Sequence, residues 1–160
     1  MPEEKYSCEI VTPLGTLTAV ASHNKLQQLV LGFLPPEIAE NTTKKESPVL
    51  KETEIQLKEY FAGKRRHFDL ELEPLGTEFQ KLVWQKLLTI PWGETISYEE
   101  LAMRTGSPKK TRAVGNANSR NPIPIIIPCH RVICKNGQLG GYAGGLDKKR
   151  FLLELEKNPR

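Results

Sequence analysis

An α+β fold in two units is what the sequence predicts, and three observations predict it. Short β-prone runs fill the first third of the chain, helix-capping signatures open the second half, and a turn-like Glu73-Pro74-Leu75-Gly76 lies between them. A length of 160 residues suits one small plus one compact domain. The expected division is an N-terminal α/β domain at 1–75, a small mixed or antiparallel sheet with a helix, and a mostly helical domain at 76–160 containing a helix-turn-helix.

Taken in order, Ser7 to Val11, Leu17 to Ala21 and Leu26 to Leu31 read as strands separated by TPLG and SHNK turns. Residues 35–47 are polar and read as a surface loop. Ser47-Pro48 starts a helix carrying Leu50, Leu57, Tyr60 and Phe61, which Gly63 stops. HFDLEL at 67–72 alternates and reads as a further strand. Thr77 to Gln80 forms a capping box, followed by a Phe79, Val83, Leu87, Ile90 stripe. Ser97 to Glu100 forms a second box, a third helix runs from Ser107-Pro108 to about Asn118, and a last one spans about Asp147 to Lys157.

No apolar run approaches the ~20 residues of a membrane span, and MPEEKYSCEI holds acids without an apolar signal core. Three cysteines, Cys8, Cys129 and Cys134, make an odd set that suits free thiols in a reducing compartment. A cytoplasmic location is expected, or a nuclear one in a eukaryote. The net charge of +4 conceals an asymmetry: Arg104 to Arg150 holds ten Lys/Arg against Asp147 alone, while the rest holds 13 Lys/Arg against 18 Asp/Glu. That concentration suits either a polyanionic partner or a solvated basic face.

The segment YEELAMRTGSPKKTRAVGNANSR joins two short helices through Thr105-Gly106, as a helix-turn-helix does. Its second helix interleaves Lys109, Arg112 and Arg120 with Ala113, Gly115, Ala117 and Ser119. Small residues let a backbone approach a shallow groove, and Arg112 among them is long enough to fill the gap left by an extruded base. An ordinary helical hairpin with a wet basic face has the same pattern.

The stretch IIIPCHRVICKNGQLGGYAGG delivers Cys129 beside His130 and Arg131. Basic neighbours lower a thiol pKa from ~8.5, which suits a nucleophile. Neighbours on an extended chain point apart, so His130 needs a turn, for which Pro128 provides, or a water to reach the thiol. On the last helix Phe151, Leu152 and Leu155 make an apolar face that includes Glu156, a carboxylate placed to orient the histidine. A buried core thiol is the alternative for Cys129. Cys129, His130 and Cys134 lack the spaced pairs of a zinc site, and no metal is expected. The surround of a cysteine hydrolase is missing as well.

NPIPII-IPCHRVI followed by GGYAGGLDKKRFLLELE, with PWGETISYEELA and TRAVGNANSRNP, resembles the O6-alkylguanine-DNA alkyltransferase family over Thr77 to Glu156. The resemblance implies a ribonuclease-H-like N-terminal domain and direct damage reversal: the alkyl group of O6-alkylguanine, with O4-methylthymine a further candidate, moves once and irreversibly to the protein's own cysteine after nucleotide flipping. It implies Cys129 as acceptor, His130 as water-mediated base, Glu156 as its orienter and Tyr98 as phosphate-crowding residue or proton donor to the leaving guanine. Arg112 becomes the intercalating finger, with Lys109, Ala113, Gly115 and Ser119 on the DNA face. Asn121 holds the cysteine turn, Val132 and Cys134 meet the base through their backbone, and Tyr142, Ala143 and Gly144 line the lesion pocket. No cofactor is implied, and the partner is alkylated double-stranded DNA bound by a monomer through the minor groove.

Tyr98 also fits a plain core aromatic, Asn121 a turn residue and Tyr142 a hinge anchor. Ala143 stands where many relatives have Ser, which removes one hydrogen bond to O6, and Phe151 and Leu155 replace a common Trp and His. The N-terminal third lacks the Cys/His set of zinc-binding members and the acceptor-cysteine surround of the phosphotriester regulators. A non-catalytic alkylated-base recognition protein is the main alternative, but such relatives replace the acceptor cysteine. A helix-turn-helix transcription factor would need long base-reading side chains where this chain has AVGNAN.

Overall fold

The computed structural model describes residues 4–157, and the chain divides into two compact units at Leu75/Gly76. In the first unit β1 (Lys5–Thr12), β2 (Gly15–Ser22) and β3 (Lys25–Leu31) form an antiparallel meander, and β4 (Thr42–Lys44) adds in parallel to β1, giving the order β3-β2-β1-β4. The β2–β3 turn holds both central residues, His23 and Asn24, at positive φ, which matches the twist of the flanking strands. Central strand β2 buries Leu17, Ala19, Val20 and Ala21, and α2 (Pro48–Phe61) packs on the sheet, burying Leu50, Leu57 and Tyr60. Ser47 caps α2 by accepting from the Leu50 amide.

Two expectations for this unit need correction. The polar stretch 35–47 is not a plain loop: Pro36 opens the short helix α1 (Pro36–Ala39), and Thr42–Lys44 becomes the edge strand β4. An edge strand facing water needs no apolar alternation, so composition hides it. Conversely, 67–72 alternates but forms no strand beyond a single bridge, Leu26 to Leu72. The backbone of Asp69 is instead satisfied by the buried side chain of Gln56, which donates to its carbonyl at 3.0 Å and accepts from its amide at 2.8 Å.

The second unit starts with α3 (Glu78–Leu87), whose Thr77/Gln80 capping box is complete. Val83, Leu87 and Ile90 are buried as the stripe requires, Phe79 is half-buried, and Ile90 lies beyond the helix end. Trp84 adds the largest buried side chain and donates its indole N–H to the Ala117 carbonyl at 2.9 Å. Helix α4 (Tyr98–Arg104) is capped by Ser97, but Glu100 pairs with Arg104 rather than closing the box. Gly106 at φ 116° makes the turn, a single 3-10 turn covers Pro108–Lys110, and α5 proper is Thr111–Ser119.

The isoleucine run is not a strand. Ile125 sits in the left-handed region at φ 74°, and the Ile127 amide folds back onto the Ile123 carbonyl. Prolines 122, 124 and 128 remove the amides that a ladder would need. All three isoleucines are nonetheless buried. The strand comes afterwards: β6 (Val132–Ile133) pairs in parallel with β5 (Ile96–Ser97), placing Ile96 beside Val132 and Ser97 beside Ile133. Helix α6 (Leu146–Lys157) turns Lys149, Leu152 and Glu156 inward, while Phe151 is 39% exposed and Leu155 only partly covered. The expected Phe151/Leu155 face is therefore displaced, because two charged residues occupy the inward i, i+3, i+7 positions. No helix among the described residues is long and apolar enough to cross a membrane.

Gln56→Ala should lower the stability of the first unit by about 1–3 kcal/mol and speed hydrogen exchange at the Asp69 amide. Urea unfolding with exchange mass spectrometry checks both; an unmoved midpoint with a protected amide would refute the role of Gln56.

Candidate active site and nucleic-acid interface

Pro128 ends the folded-back run and starts a 3-10 turn over Cys129–Arg131, which swings successive side chains to different neighbours. Asn121 braces this turn: its amide nitrogen donates to the Ile127 carbonyl at 2.7 Å, and its oxygen accepts from the Ile123 amide at 2.9 Å. From α5, Asn118 reaches the Cys129 carbonyl at 3.4 Å. Cys129 is left 6% exposed.

The charge around it differs from the sequence expectation. Burial pushes the Cys129 thiol up to about 11, with a hydrogen bond from Asn121 and the positive charge of Lys149 pulling only partly the other way. His130 and Arg131 do not serve as the cations that lower it, because both turn toward Glu156. Nε2 of His130 lies 2.8 Å from Glu156 Oε2, and Arg131 donates through Nε to Oε1 at 2.8 Å and through Nη2 to Oε2 at 2.9 Å. Arg131 Nη1 also donates to the Ile90 carbonyl at 2.6 Å. Burial by itself would raise the Glu156 carboxyl, but the His130 and Arg131 hydrogen bonds and charges outweigh it and hold it at about 2.

That carboxylate decides the state of the histidine. Burial lowers the His130 pKa more than Glu156 restores it, so the ring is neutral at neutral pH. A carboxylate only accepts, so the single ring proton resides on Nε2 and the lone pair on Nδ1. Nδ1 is buried and has no hydrogen-bond partner among the described residues. The arrangement can take up one proton on the side away from Glu156.

The β5–β6 ladder brings Tyr98, the residue after β5, to the segment that follows Cys129. A Cβ placed on Gly140 would stand 2.9 Å from the Tyr98 hydroxyl oxygen and 3.4 Å from the Cys134 sulfur, so the loop backbone packs directly on both. Burial, then the nearness of Cys134 and Cys129, raises the Tyr98 phenol against a hydrogen bond from the Gly141 backbone. Burial likewise keeps Tyr142 protonated, and its hydroxyl is buried without a hydrogen-bond partner among the described residues. Val132 is buried, Gly144 half-buried and Ala143 exposed.

On α5 and the turn before it, Lys109, Arg112, Ala113 and Ser119 are exposed and Gly115 is partly so, while Val114, Ala117 and Asn118 face inward. Two of the ten cations between Arg104 and Arg150, Arg131 and Lys149, are buried and cannot meet an outside polyanion. Asn118, Lys149 and Gly140 escaped the sequence reading of the site, and Arg131 entered it only as a basic neighbour of the thiol. Lys149 was detectable by its i, i+3, i+7 spacing with Leu152 and Glu156; the contacts of the others show only in the folded chain.

Residues 78–158 match a family model described as the 6-O-methylguanine DNA methyltransferase DNA binding domain, and residues 6–74 match the ribonuclease-like domain of the same description. The chain is 48% identical over 151 residues to the constitutive methylated-DNA–protein-cysteine methyltransferase of Bacillus subtilis, covering 91% of this chain and 92% of that one. A Mycobacterium leprae relative of the same name is 59% identical over 113 residues, 71% of this chain and 68% of its own. The fold superposes on the crystal structure of Mycobacterium tuberculosis O6-methylguanine methyltransferase with a TM-score of 0.86 at 44% identity, covering 96% and 93% of the two chains. For Mycobacterium tuberculosis OGT in complex with DNA the TM-score is 0.85 at 47% identity, with 95% and 92% covered. With both units matched and the buried cysteine turn in place, the chain belongs to the 6-O-methylguanine DNA methyltransferase family.

Proposed function

We propose that this chain repairs O6-alkylguanine in double-stranded DNA by moving the alkyl group, once and irreversibly, to Cys129. The observation that carries the reading is the buried Arg131–Glu156–His130 relay, which leaves a neutral imidazole lone pair on the residue next to the acceptor thiol. Residues 76–160 act as the DNA-binding and active-site domain, and 1–75 as the N-terminal α/β domain.

With its pKa near 11, Cys129 holds no standing thiolate at neutral pH. His130 therefore takes the thiol proton as the reaction proceeds, through Nδ1 and a water, and Glu156 stabilises the imidazolium that forms. The sulfur lone pair attacks the saturated carbon, the S–C bond forms, and the C–O6 bond breaks with its electrons staying on guanine. Tyr98, a protonated phenol, supplies the proton that the leaving base needs, and the thiol proton held on the His130 imidazolium returns through solvent to the Tyr98 phenolate. The exchange balances without a cofactor. The thioether has no leaving path, so each molecule acts once.

Asn121 holds the cysteine turn, and Val132, Cys134, Tyr142, Ala143 and Gly144 line the pocket for the flipped base. Arg112 enters the stack from a helix face whose small residues, Ala113, Gly115 and Ser119, suit the minor groove, while Lys109 meets phosphate. A monomer in the cytoplasm, or the nucleus of a eukaryote, fits this chemistry, and O4-methylthymine is a further candidate substrate.

Protein mixed with a duplex bearing O6-[methyl-³H]guanine should take up label to one methyl per active molecule and stop, and Cys129→Ser should take up none. Tight lesion binding without label would point to a recognition protein instead. Arg112→Ala should slow repair of duplex more than reaction with free O6-methylguanine, measured as single-turnover rates; equal slowing would exclude the finger. Glu156→Gln leaves Arg131 buried without its charge partner, which costs about 3–5 kcal/mol, and should slow transfer. A carboxyl held at about 2 stabilises the fold fully above its ordinary 4.5, and that contribution fades as pH falls from 4.5 toward 2. Acid unfolding of wild type should accordingly show a loss across that window that Glu156→Gln lacks.

A further inference from the structure

Of the exposed cations that lead into α5, one is held by a ring. The Lys110 ammonium stands 5.4 Å from the centroid of Phe79, a residue of the first turn of α3. An ammonium within about 6 Å of an aromatic face is attracted by the negative charge of that face. The lysine is exposed and the phenylalanine half-buried, so the contact lies at the surface. Both backbones are pinned by local bonds. Phe79 sits between Thr77 and Gln80, the two residues that close the capping box. Lys110 ends the 3-10 turn, whose Ser107 hydroxyl accepts from the Lys109 amide at 3.3 Å and whose Ser107 carbonyl accepts from the Lys110 amide at 3.2 Å. On the other side the Thr111 hydroxyl donates to the Pro108 carbonyl at 2.9 Å. Neighbouring cations are held differently: Arg104 leans on Glu100 at 3.5 Å and Lys81 on Glu78 at 4.0 Å. A carboxylate partner cancels the charge that it holds, whereas a ring holds the cation and leaves its charge intact.

We propose that Phe79 is a positioning residue for DNA binding: its ring holds the Lys110 ammonium, still fully charged, as a preordered phosphate contact at the start of α5. This rests on the reading of α5 as the DNA-facing helix, on which Lys109 and Arg112 flank Lys110 and are exposed. A free lysine gives up rotamer freedom when it grips a phosphate, and one already held over a ring has given up part of that freedom on folding. The N–H donors of the ammonium are not consumed, because a ring face takes charge rather than a directed hydrogen bond. Phosphate is the same at every step of a duplex, so the contact adds affinity and register without sequence preference. It thereby fixes the position from which Arg112, two residues further on, enters the stack.

The test measures affinity for a lesion-free duplex as a function of salt, for wild type, Phe79→Leu, Lys110→Ala and the double variant. Leucine keeps an apolar side chain on α3 and removes the ring face. Lys110→Ala should lower the log-log salt slope by about 0.9, the share of one phosphate contact. Phe79→Leu should keep the wild-type slope, because the lysine still reaches phosphate, yet bind about threefold more weakly. In the Lys110→Ala background the same leucine should change nothing, and Phe79→Tyr, which keeps the face, should bind as wild type does. A merely structural Phe79 would weaken binding equally in both backgrounds, and that result would overturn the proposal. So would an unchanged salt slope in Lys110→Ala, or wild-type affinity in Phe79→Leu. If Phe79→Leu is recovered only unfolded, Phe79→Trp decides: its stronger face should tighten binding about twofold with Lys110 present and not without it, and equal effects in the two backgrounds overturn the role. Wild type that binds no duplex would refute the DNA-facing reading of α5 itself, whereas wild-type affinity in Phe79→Leu leaves that reading standing. The titrations use no alkylated base, so they judge Phe79 whatever Cys129 does.

Discussion

The buried contact among Glu156, His130 and Arg131 is the interaction on which the rest of the site depends. An ionised carboxylate inside a protein is tolerable only when its oxygens are saturated, and here one guanidinium and one imidazole saturate them. Because a carboxylate only accepts, the contact also chooses the histidine tautomer. Structure and chemistry are thus set by the same few hydrogen bonds: Arg131 joins α6 to the end of α3 through the Ile90 carbonyl, and the proton state of His130 follows from that junction.

This network explains why the residues beside the cysteine do not simply activate it. A thiol next to His and Arg in sequence looks primed for ionisation, yet burial raises it to about 11 and both neighbours are committed elsewhere. Burial thereby favours the protonated thiol. For a protein that spends itself in one reaction, a resting thiol that avoids stray electrophiles is an advantage, since thiolate character governs incidental oxidation and alkylation.

Much of the architecture was legible in local chemistry. The strands β1 to β3, the capped starts of α2, α3 and α4, and the turn at Gly106 are each carried by neighbours within a few residues, by alternation, a capping hydroxyl or a glycine. Two local readings failed, each for its own reason. The edge strand β4 is polar because water covers it, and 67–72 alternates yet meets β3 at a single bridge, with the Asp69 backbone bonded to a glutamine side chain. The isoleucine run is rich in β-forming residues, but its prolines deny it a ladder and Ile125 turns left-handed.

What the sequence by itself determined is the inventory of the site and the local frame that carries it: a cysteine beside a histidine behind a proline, a carboxylate on the last helix, a small-residue helix with exposed cations. Those are short-range facts, written in residue type and spacing. What only tertiary structure decided is who faces whom. The β5–β6 ladder sets Tyr98 against Cys134 and Gly140, the 3-10 turn sends His130 and Arg131 to Glu156, and α6 turns Lys149 inward to three carbonyls. A one-residue step along a helix turns a side chain by about 100°, so partners on different elements are fixed by packing that no local pattern encodes.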